Sequence, residues 1–257
     1  MNNFRNLYKT FQETRKAARE QATVAVLGDS PEAEELAREI GARRDMKSAE
    51  IILDVSGGKL RASGKAVDEP GEIDAEVSGF TKNDNGTVDG PLPKRIVGAI
   101  DDDYRVPLAK AYPFFRRAVC NDLIHKNARQ NALIGAIPIP GADMPAMTAN
   151  QGRMVLFIAA AHGEELSLDR ARELLGVLAA GFGLRALTRQ VIKIIPIGGW
   201  AAAAAVGYAG TLAMGRATML YFERGHQKVG EGEMRDIRER AVREAKEFVS
   251  RFRDRKK

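Results

Sequence analysis

A run of twenty residues without a charged side chain, residues 195–214, constrains this chain more than any other feature. It reads IPIGGWAAAAAVGYAGTLAM, and at about 1.5 Å per helical residue it could cross the roughly 30 Å hydrocarbon layer of a bilayer. Insertion would be marginal, because few of its residues are strongly apolar and Pro196 and several glycines oppose it. The run is either a membrane-associated helix or a buried Ala-rich helix of a soluble bundle, and we favour the membrane.

Small residues recur at every fourth position of this run, which places them on one face of a helix. They are Gly199, Ala203, Gly207, Thr211 and Gly215. Small side chains allow a neighbouring helix to approach closely. We interpret them as a helix-packing face, used inside a bundle, by a partner helix or by a second copy of the chain.

The net charge of +6 is unevenly distributed along the chain. Residues 1–20 carry five basic residues against two acidic ones, residues 29–76 carry seven against thirteen, and residues 235–257 carry ten against five. Basic ends beside an acidic body suit an anionic membrane surface, nucleic acid or plain solvation. The sequence has no zinc-finger, RNP-type or helix-turn-helix motif, so nucleic acid is the least favoured partner.

The single cysteine, Cys120, excludes an internal disulfide framework and a multi-cysteine metal site. We therefore expect a reducing environment, on the cytoplasmic side of a membrane. Residues 1–20 lack the apolar region of a secretory signal and instead predict a basic amphipathic helix.

Residues 21–104 predict a small α/β domain with a mainly parallel sheet. ATVAVLG reads as a strand, EAEELAREIG as a helix, SAEIILDVSGG as a second strand and KRIVGAIDDD as a third strand that ends at Asp101. Residues 57–94 are rich in Gly, Asp, Pro and Lys, so we expect an exposed, mobile loop there. Within it, Asn85-Gly86 indicates a hairpin turn.

From residue 105 onward the apolar spacing is helical. We expect a membrane-associated domain of helical hairpins over residues 105–228 and a charged amphipathic helix over residues 229–257. The apolar stripe of that last helix comprises Met234, Ile237, Ala241, Ala245, Phe248 and Phe252. The predicted fold class is α+β overall and mainly α: a small, degenerate, P-loop-GTPase-like α/β domain followed by an apolar helical-hairpin bundle.

The first strand-to-helix turn has the topology of a nucleotide site without its chemistry. A phosphate loop of the form GxxxxGK[ST] needs a second glycine and a Lys-Ser/Thr pair. Here Gly28, Asp29 and Ser30 are followed by Pro31, which lacks an N–H donor, and by several glutamates. We interpret Asp29 or Ser30 as a helix cap and expect no nucleotide there.

Three carboxylates, Asp54, Asp101 and Asp103, are predicted to gather beyond the carboxyl ends of the strands, where open α/β sheets bind ligands. Together they could hold Mg²⁺. Caps and turns explain the same residues equally well. The sequence offers no obvious nucleophile, and its three histidines lack metal-ligand spacing, so we expect no cofactor and no firm metal site.

Pro138, Pro140 and Pro196 mark bends before apolar helices, and Asp143 is placed to cap the helix that follows the first bend. We assign these four residues structural roles.

The motifs AIPIPGAD, His162-Gly163, IPIGG and Tyr221-Phe222, spaced over about residues 115–225, resemble the YcjF-like domain of unknown function. That bacterial domain is often found C-terminal to Era-like small GTPase domains and is regarded as membrane-associated, with no established catalytic residues. The resemblance implies that the preceding α/β segment is a degenerate small-GTPase domain, and it admits a GTPase partner.

From these observations we expect a non-catalytic adaptor or regulator bound to the cytoplasmic face of a membrane through anionic lipid. One alternative is a nucleotide- or Mg-dependent switch or enzyme that uses the strand-end carboxylates. A second alternative is a soluble helical interaction module.

Overall fold

The computed structural model describes most of the chain. The described residues are 22–44, 49–77, 80, 82–83, 85–136, 143–164 and 199–254, without the side chains of residues 143–144 and 252–254. The basic helix predicted for residues 1–20 lies outside them. The chain forms two compact units, which we call the mixed unit (residues 13–120 and 160–164) and the helical unit (residues 1–12, 121–159 and 165–257).

The mixed unit contains a four-stranded sheet in the order β1-β2-β3-β4. Strands β1 (Val24–Leu27) and β2 (Ile51–Ser56) are parallel, joined through helix α1 (Pro31–Ile40), whereas β3 (Lys59–Ser63) and β4 (Gly71–Ile73) add antiparallel strands. Burial alternates along β2, as the period of a strand with one covered face requires.

Strands β3 and β4 lie inside the stretch that the sequence predicted to be an exposed loop. Gly57 and Gly58 have φ of 60° and 73° and connect β2 to β3 as a two-residue turn, which pairs Ser56 with Lys59. Leu60 and Ala62 of β3 point into the core while their polar neighbours face solvent. The loop prediction is therefore wrong over β3 and β4.

Further along, a tight turn at Asn85-Gly86 separates the bridged residues Lys82 and Val88. Gly86 has φ of 75° there, and its N–H donates to the Asn83 carbonyl at 2.9 Å. Glycine adopts this left-handed conformation without the steric cost that a side chain would add. The hairpin signal in the sequence thus corresponds to a local turn.

The third predicted strand, which was to end at Asp101, is wrong: the same residues form helix α2 (Pro91–Ala99). Pro91 occupies the first helical turn, where its missing N–H costs nothing. Leu92, Ile96 and Val97 are buried at helical rather than alternating spacing. The apolar run RIVGAI was short enough to suit either structure, and the proline at its start favours the helix.

Helix α3 (Asp102–Ala111) follows immediately, capped by Asp101. Helix α4 (Pro113–Ala136) then runs from the mixed unit into the helical unit, with the division falling at residue 120. Helix α5 (Asp143–Ala161) ends just before Gly163, which has φ of 84° and donates its N–H to the Ala160 carbonyl at 2.9 Å.

Two long helices complete the helical unit, α6 (Trp200–Glu223) and α7 (Glu231–Asp254). Most of α6 from Ala204 to Phe222 is buried, as expected for a helix that has almost no polar face. The apolar stripe of α7 packs on α6, with Phe248 stacked on Tyr208 at a ring-centroid distance of 4.4 Å. The stripe predicted for the last helix therefore packs on the protein itself.

The expectation of a mainly helical chain with a small sheet near its start is confirmed. Within the described ranges, no helix combines the length and the apolarity needed to cross a bilayer. For α6 the reason is composition, since alanine and glycine fill a helix without making it strongly apolar.

Candidate functional site

The turn between β1 and α1 is closed where a phosphate loop would be open. A Cβ on Gly28, whose φ is 120°, would lie 2.2 Å from the carbonyl oxygen of Val55. The backbone of β2 thus occupies the close approach that glycine permits at this turn. On its other side, the Gly28 carbonyl accepts a hydrogen bond from Arg44. The packing of strand and turn therefore accounts for the glycine at this position.

The first turn of α1 is also negatively charged. Ser30 is its cap, accepting from the Ala33 N–H at 3.3 Å, while Asp29 is exposed. Glu32 and Glu34 occupy the first turn, and hydrogen bonding with Ser30 lowers the pKa of Glu32. Carboxylates suit the positive end of the helix dipole, and their negative charge disfavours an anion beside it.

Of the three carboxylates predicted at strand ends, Asp54 and Asp101 have local partners instead, and Asp103 lies in the first turn of α3. Asp54 lies within β2 and accepts from the Ser56 hydroxyl at 2.5 Å. Asp101 caps α3 by accepting from the Asp103 N–H at 2.7 Å. Because residues 91–99 are helical, Asp101 does not end a strand, and the topological reason for a shared magnesium site is lost.

One carboxylate pair does form in this region. Asp68 lies beside Asp101, and loss of hydration together with the neighbouring charge of Asp101 raises the pKa of Asp68. Two carboxylates make a weak ligand set for a cation. Among the described residues, no group of three or more histidine, cysteine or acidic side chains is arranged to hold a metal ion.

In the helical unit, the small-residue face of α6 packs against α4 of the same chain. A Cβ on Gly207 would lie 2.6 Å from the carbonyl oxygen of Asn131, and a Cβ on Gly215 would lie 2.5 Å from Cγ1 of Ile124. Real Cβ atoms essentially never make contacts under 3.0 Å. The two helices are therefore closer than any larger side chain at these positions would permit.

The contact continues to the ends of both helices. A Cβ on Gly135 of α4 would lie 2.9 Å from the carbonyl oxygen of Ala203. The pairing of residues 124, 131 and 135 with 215, 207 and 203 shows that α4 and α6 are antiparallel. Gly199, the first of the predicted small residues, precedes α6 as its N-cap with φ of 76°. The predicted helix-packing face thus contacts α4 of the same chain, which is its use inside a bundle.

A buried hydrogen-bond network joins α4, α5 and α6 along this contact. The Asn131 amide donates to the Thr211 hydroxyl at 2.8 Å, and the Asn150 amide donates to the Asn131 side-chain oxygen at 2.9 Å. Gln151 donates to Thr211 at 3.2 Å, and Thr211 donates to the Gly207 carbonyl at 2.8 Å. Asn131 and Thr211 are fully buried, so the bond between them and the bond from Thr211 to Gly207 form away from competing water.

Sequence reasoning found Thr211 only as a small residue and missed the asparagines. The available signal was their spacing: Asn127 and Asn131 lie four residues apart on the buried stripe of α4, where apolar residues are the rule. Asn127 is satisfied by its own helix, donating to the Leu123 carbonyl at 2.8 Å. Amides on a covered helix face indicate polar partners on a neighbouring element.

A second missed feature is an ionic cluster that links α4, α6 and α7. Both oxygens of Glu244 contact the guanidinium of Arg216 at 2.9 Å, and Nε2 of His125 lies 3.6 Å from Glu244. Partial burial alone would raise the pKa of Glu244, but His125 and Arg216 outweigh it and bring the pKa to about 2. The cluster holds the charged helix α7 against the bundle.

One end of the helical unit presents no charged side chain among those that the structure describes; Asp143, whose side chain lies outside them, begins α5 there. There α4 ends, while α5 and α6 begin, since Asn131 of α4 contacts the start of α5 through the Met147 carbonyl. Described side chains in residues 131–136, 145–151 and 199–207 include no acid and no base. Leu133 and Trp200 are 54% and 46% exposed at this end. We call it the uncharged end.

The prolines predicted at the bends, Pro138, Pro140 and Pro196, lie outside the part of the chain that the structure describes. Asp143 is the first residue of α5, with its side chain outside the described residues.

Residues 114–247 match the model of a family described as a domain of unknown function, DUF697. The match covers α4 through most of α7. No curated protein and no solved structure matches the chain at a significant level.

Proposed function

Since this chain belongs to the DUF697 family of domains of unknown function, we propose its role from its own geometry. It is a non-catalytic adaptor or regulator that associates with a membrane through the uncharged end of its helical unit. The observation that carries the proposal is this end, where Leu133 and Trp200 are both about half exposed. Tryptophan is enriched where proteins meet the boundary between headgroups and acyl chains.

The proposed association is interfacial rather than spanning. Burial of α6 by its own unit removes its apolar surface from lipid, and α6 is not apolar enough to span. An end of a bundle can instead enter the headgroup region by about 5–10 Å, as amphipathic surface helices do. This depth suits the helix termini and leaves the bundle intact.

Two further proposals come from the resemblance to the YcjF-like domain. We propose that a small GTPase is a partner of this chain, and that the mixed unit is a degenerate relative of P-loop GTPase domains. The parallel pair β1 and β2 joined by α1 supports the second. The single, buried Cys120 supports a location on the cytoplasmic side.

The experiment combines cell fractionation with vesicle binding. We expect the full chain in the membrane fraction, and release by a carbonate wash, because contact is peripheral. With purified protein, Trp200 is the one tryptophan of the chain, so its fluorescence reports the uncharged end directly. We expect a blue shift on addition of vesicles and quenching by brominated acyl chains.

A Leu133→Ser variant tests the same end without removing the reporter, and weaker vesicle binding is the expected result. A matched control is Leu220→Ser, a half-buried leucine toward the other end of α6. Protein that stays in the supernatant with every vesicle composition, with unshifted fluorescence, would contradict the proposal.

The competing function is a helical interaction module that contacts no lipid. Burial of α6 by α4 and α7 favours it, because the bundle is complete without a membrane. Capture of a protein partner by the uncharged end, in the absence of vesicle binding, is its expected signature.

A further inference from the structure

Basic residues lie beside the uncharged end because α7 packs antiparallel on α6. Phe248 stacks on Tyr208, and Glu244 pairs with Arg216 one to two turns further toward the opposite end. Arg251, three residues beyond Phe248, is therefore about 4.5 Å closer to the uncharged end. Its side chain is 80% exposed and lies 3.7 Å from the carboxylate of the exposed Glu247.

A second arginine occupies an equivalent depth on α4. Arg129 is exposed and lies one helical turn, about 6 Å, before the exposed Leu133. Both arginines are near Tyr208: burial and the charge of Glu244 raise the pKa of Tyr208, and the charges of Arg129 and Arg251 oppose this. Two helices thus place one exposed guanidinium each beneath the same end of the bundle.

We propose that Arg129 and Arg251 form a basic collar that binds the phosphates of anionic phospholipids while the uncharged end enters the bilayer interface. The inference rests on the proposed membrane association and adds the residues that recognise anionic lipid and the orientation of the bundle. Arginine suits this role because its planar guanidinium donates to phosphate oxygens in pairs.

The positions of Trp200 and Arg251 along the helix axes agree with this orientation. Trp200 is eight residues, about 12 Å, before Tyr208 along α6, and Arg251 is about 4.5 Å beyond Tyr208 in the same direction. Arg251 therefore lies about 7–8 Å below Trp200. Immersion by about 5–10 Å brings Trp200 to the acyl boundary and the collar to the phosphates. Three more basic residues, Arg255, Lys256 and Lys257, follow α7 in the sequence.

The exposed pair with Glu247 does not prevent lipid binding. Both partners are largely exposed, and such pairs contribute little to stability. The Arg251 side chain can exchange this carboxylate for a lipid phosphate at small cost.

The test compares vesicles of zwitterionic lipid with vesicles containing one-third phosphatidylglycerol, read by Trp200 fluorescence and sedimentation at physiological salt. Neutralising one base near an anionic surface weakens partitioning by about fivefold, so Arg129→Gln with Arg251→Gln should weaken binding to the anionic vesicles by roughly 25-fold. Binding to zwitterionic vesicles should not change. The wild-type preference should fall as salt is raised.

The matched control is Arg235→Gln with Arg240→Gln. These arginines are exposed on the same helix, but they lie toward the opposite end of α7. The net charge changes equally, and at distances well beyond the Debye length of about 8 Å we expect less than about a twofold change.

Equal weakening by both double variants would overturn the collar, because net charge alone would then explain the preference. Unchanged binding of Arg129→Gln with Arg251→Gln would overturn it as well. Neither result affects the broader proposal, which fails only if wild-type protein binds no vesicle. A fluorescence shift that depends on protein concentration without lipid would identify the uncharged end as a contact between copies and overturn the collar.

Discussion

Replacing Gly207 by alanine should destabilise the helical unit even though alanine is the better helix former. In a helix interior, Gly→Ala gains about 1 kcal/mol of intrinsic propensity. At Gly207 the new Cβ would lie 2.6 Å from the carbonyl oxygen of Asn131, and ordinary contact begins at 3.4 Å. Helices α4 and α6 must therefore separate locally by about 0.8 Å.

The cost of that separation exceeds the gain in propensity. A gap of about 0.5–1 Å forfeits a quarter to a half of each dispersion contact, and overpacking of this kind costs about 1–3 kcal/mol in protein cores. The same shift stretches the hydrogen bond between Asn131 and Thr211, which is 2.8 Å long. Subtracting the gain in propensity from this cost gives an expected net loss of up to about 2 kcal/mol in the free energy of unfolding, and the weakened hydrogen bond adds to it.

Urea unfolding followed by Trp200 fluorescence measures this loss, because Trp200 belongs to the same helix. Gly232→Ala in α7 is the control: no atom lies within 4 Å of its added Cβ, so that variant should be neutral or slightly more stable. A side-chain rescue separates two kinds of clash. Ile124→Ala should relieve Gly215→Ala, whose clash is with side-chain atoms.

Truncation of Asn131 should not relieve Gly207→Ala, because the clashing atom is a main-chain oxygen. If Gly207→Ala unfolds at the same or a higher urea concentration than wild type, with an unchanged m-value, the close approach of α4 and α6 does not exist.

Three other predictions address the remaining features. Thr211→Val leaves two amide donors without their acceptor and should cost about 1–3 kcal/mol in urea unfolding, whereas a loss under 0.5 kcal/mol would mean that water or a neighbour replaces the hydroxyl. Glu244, with a pKa of about 2 against an ordinary 4.5, should stabilise the fold above about pH 4.5 and lose that contribution as pH falls toward 2. Glu244→Gln should therefore lower the free energy of unfolding by about 1–2 kcal/mol at pH 7, a value that allows for the one-third exposure of the side chain. The loss should vanish near pH 2. An equal loss at both pH values would refute the ionic origin. Calorimetric titration with Mg²⁺ and GTP should give no heat that depends on Asp54 or Asp101, since the backbone of β2 fills the space at Gly28; a saturable signal abolished by Asp54→Ala would contradict this.

How far the sequence could predict the fold depended on whether a signal was local. Helix ends marked by Gly41 and Gly163 have the left-handed geometry that terminal glycines adopt. The prediction for α2 failed because the five apolar and small residues Ile-Val-Gly-Ala-Ile fit a strand or a helix equally, and only the preceding prolines decide between them. The prediction for β3 failed because the polar composition of this segment obscured an alternation that involves only two buried residues.

The candidate site depends on which helices pack together, and the sequence of one helix does not specify its neighbour. The four-residue repeat in α6 correctly indicates a face that admits a neighbour closely, but nothing in that run names α4 as the neighbour. Similarly, Arg216 and Glu244 are separated by 28 residues, and their contact exists only because α7 folds back on α6. The uncharged end required the directions of three helices to be known together.

The repeat in α6 also has a consequence for how the bundle avoids misassembly. A surface of glycine and alanine that repeats every four residues looks nearly the same after a slide of one turn, about 5.4 Å, so steric fit alone would leave several offsets almost degenerate. Thr211 is the one member of the repeat with a hydroxyl, and only one offset brings it to the Asn131 amide. In a bundle shifted by one turn, the Asn131 amide would be buried without this hydrogen-bond partner. The hydrogen-bond network therefore selects a single alignment of α4 and α6 from the several that packing alone would allow.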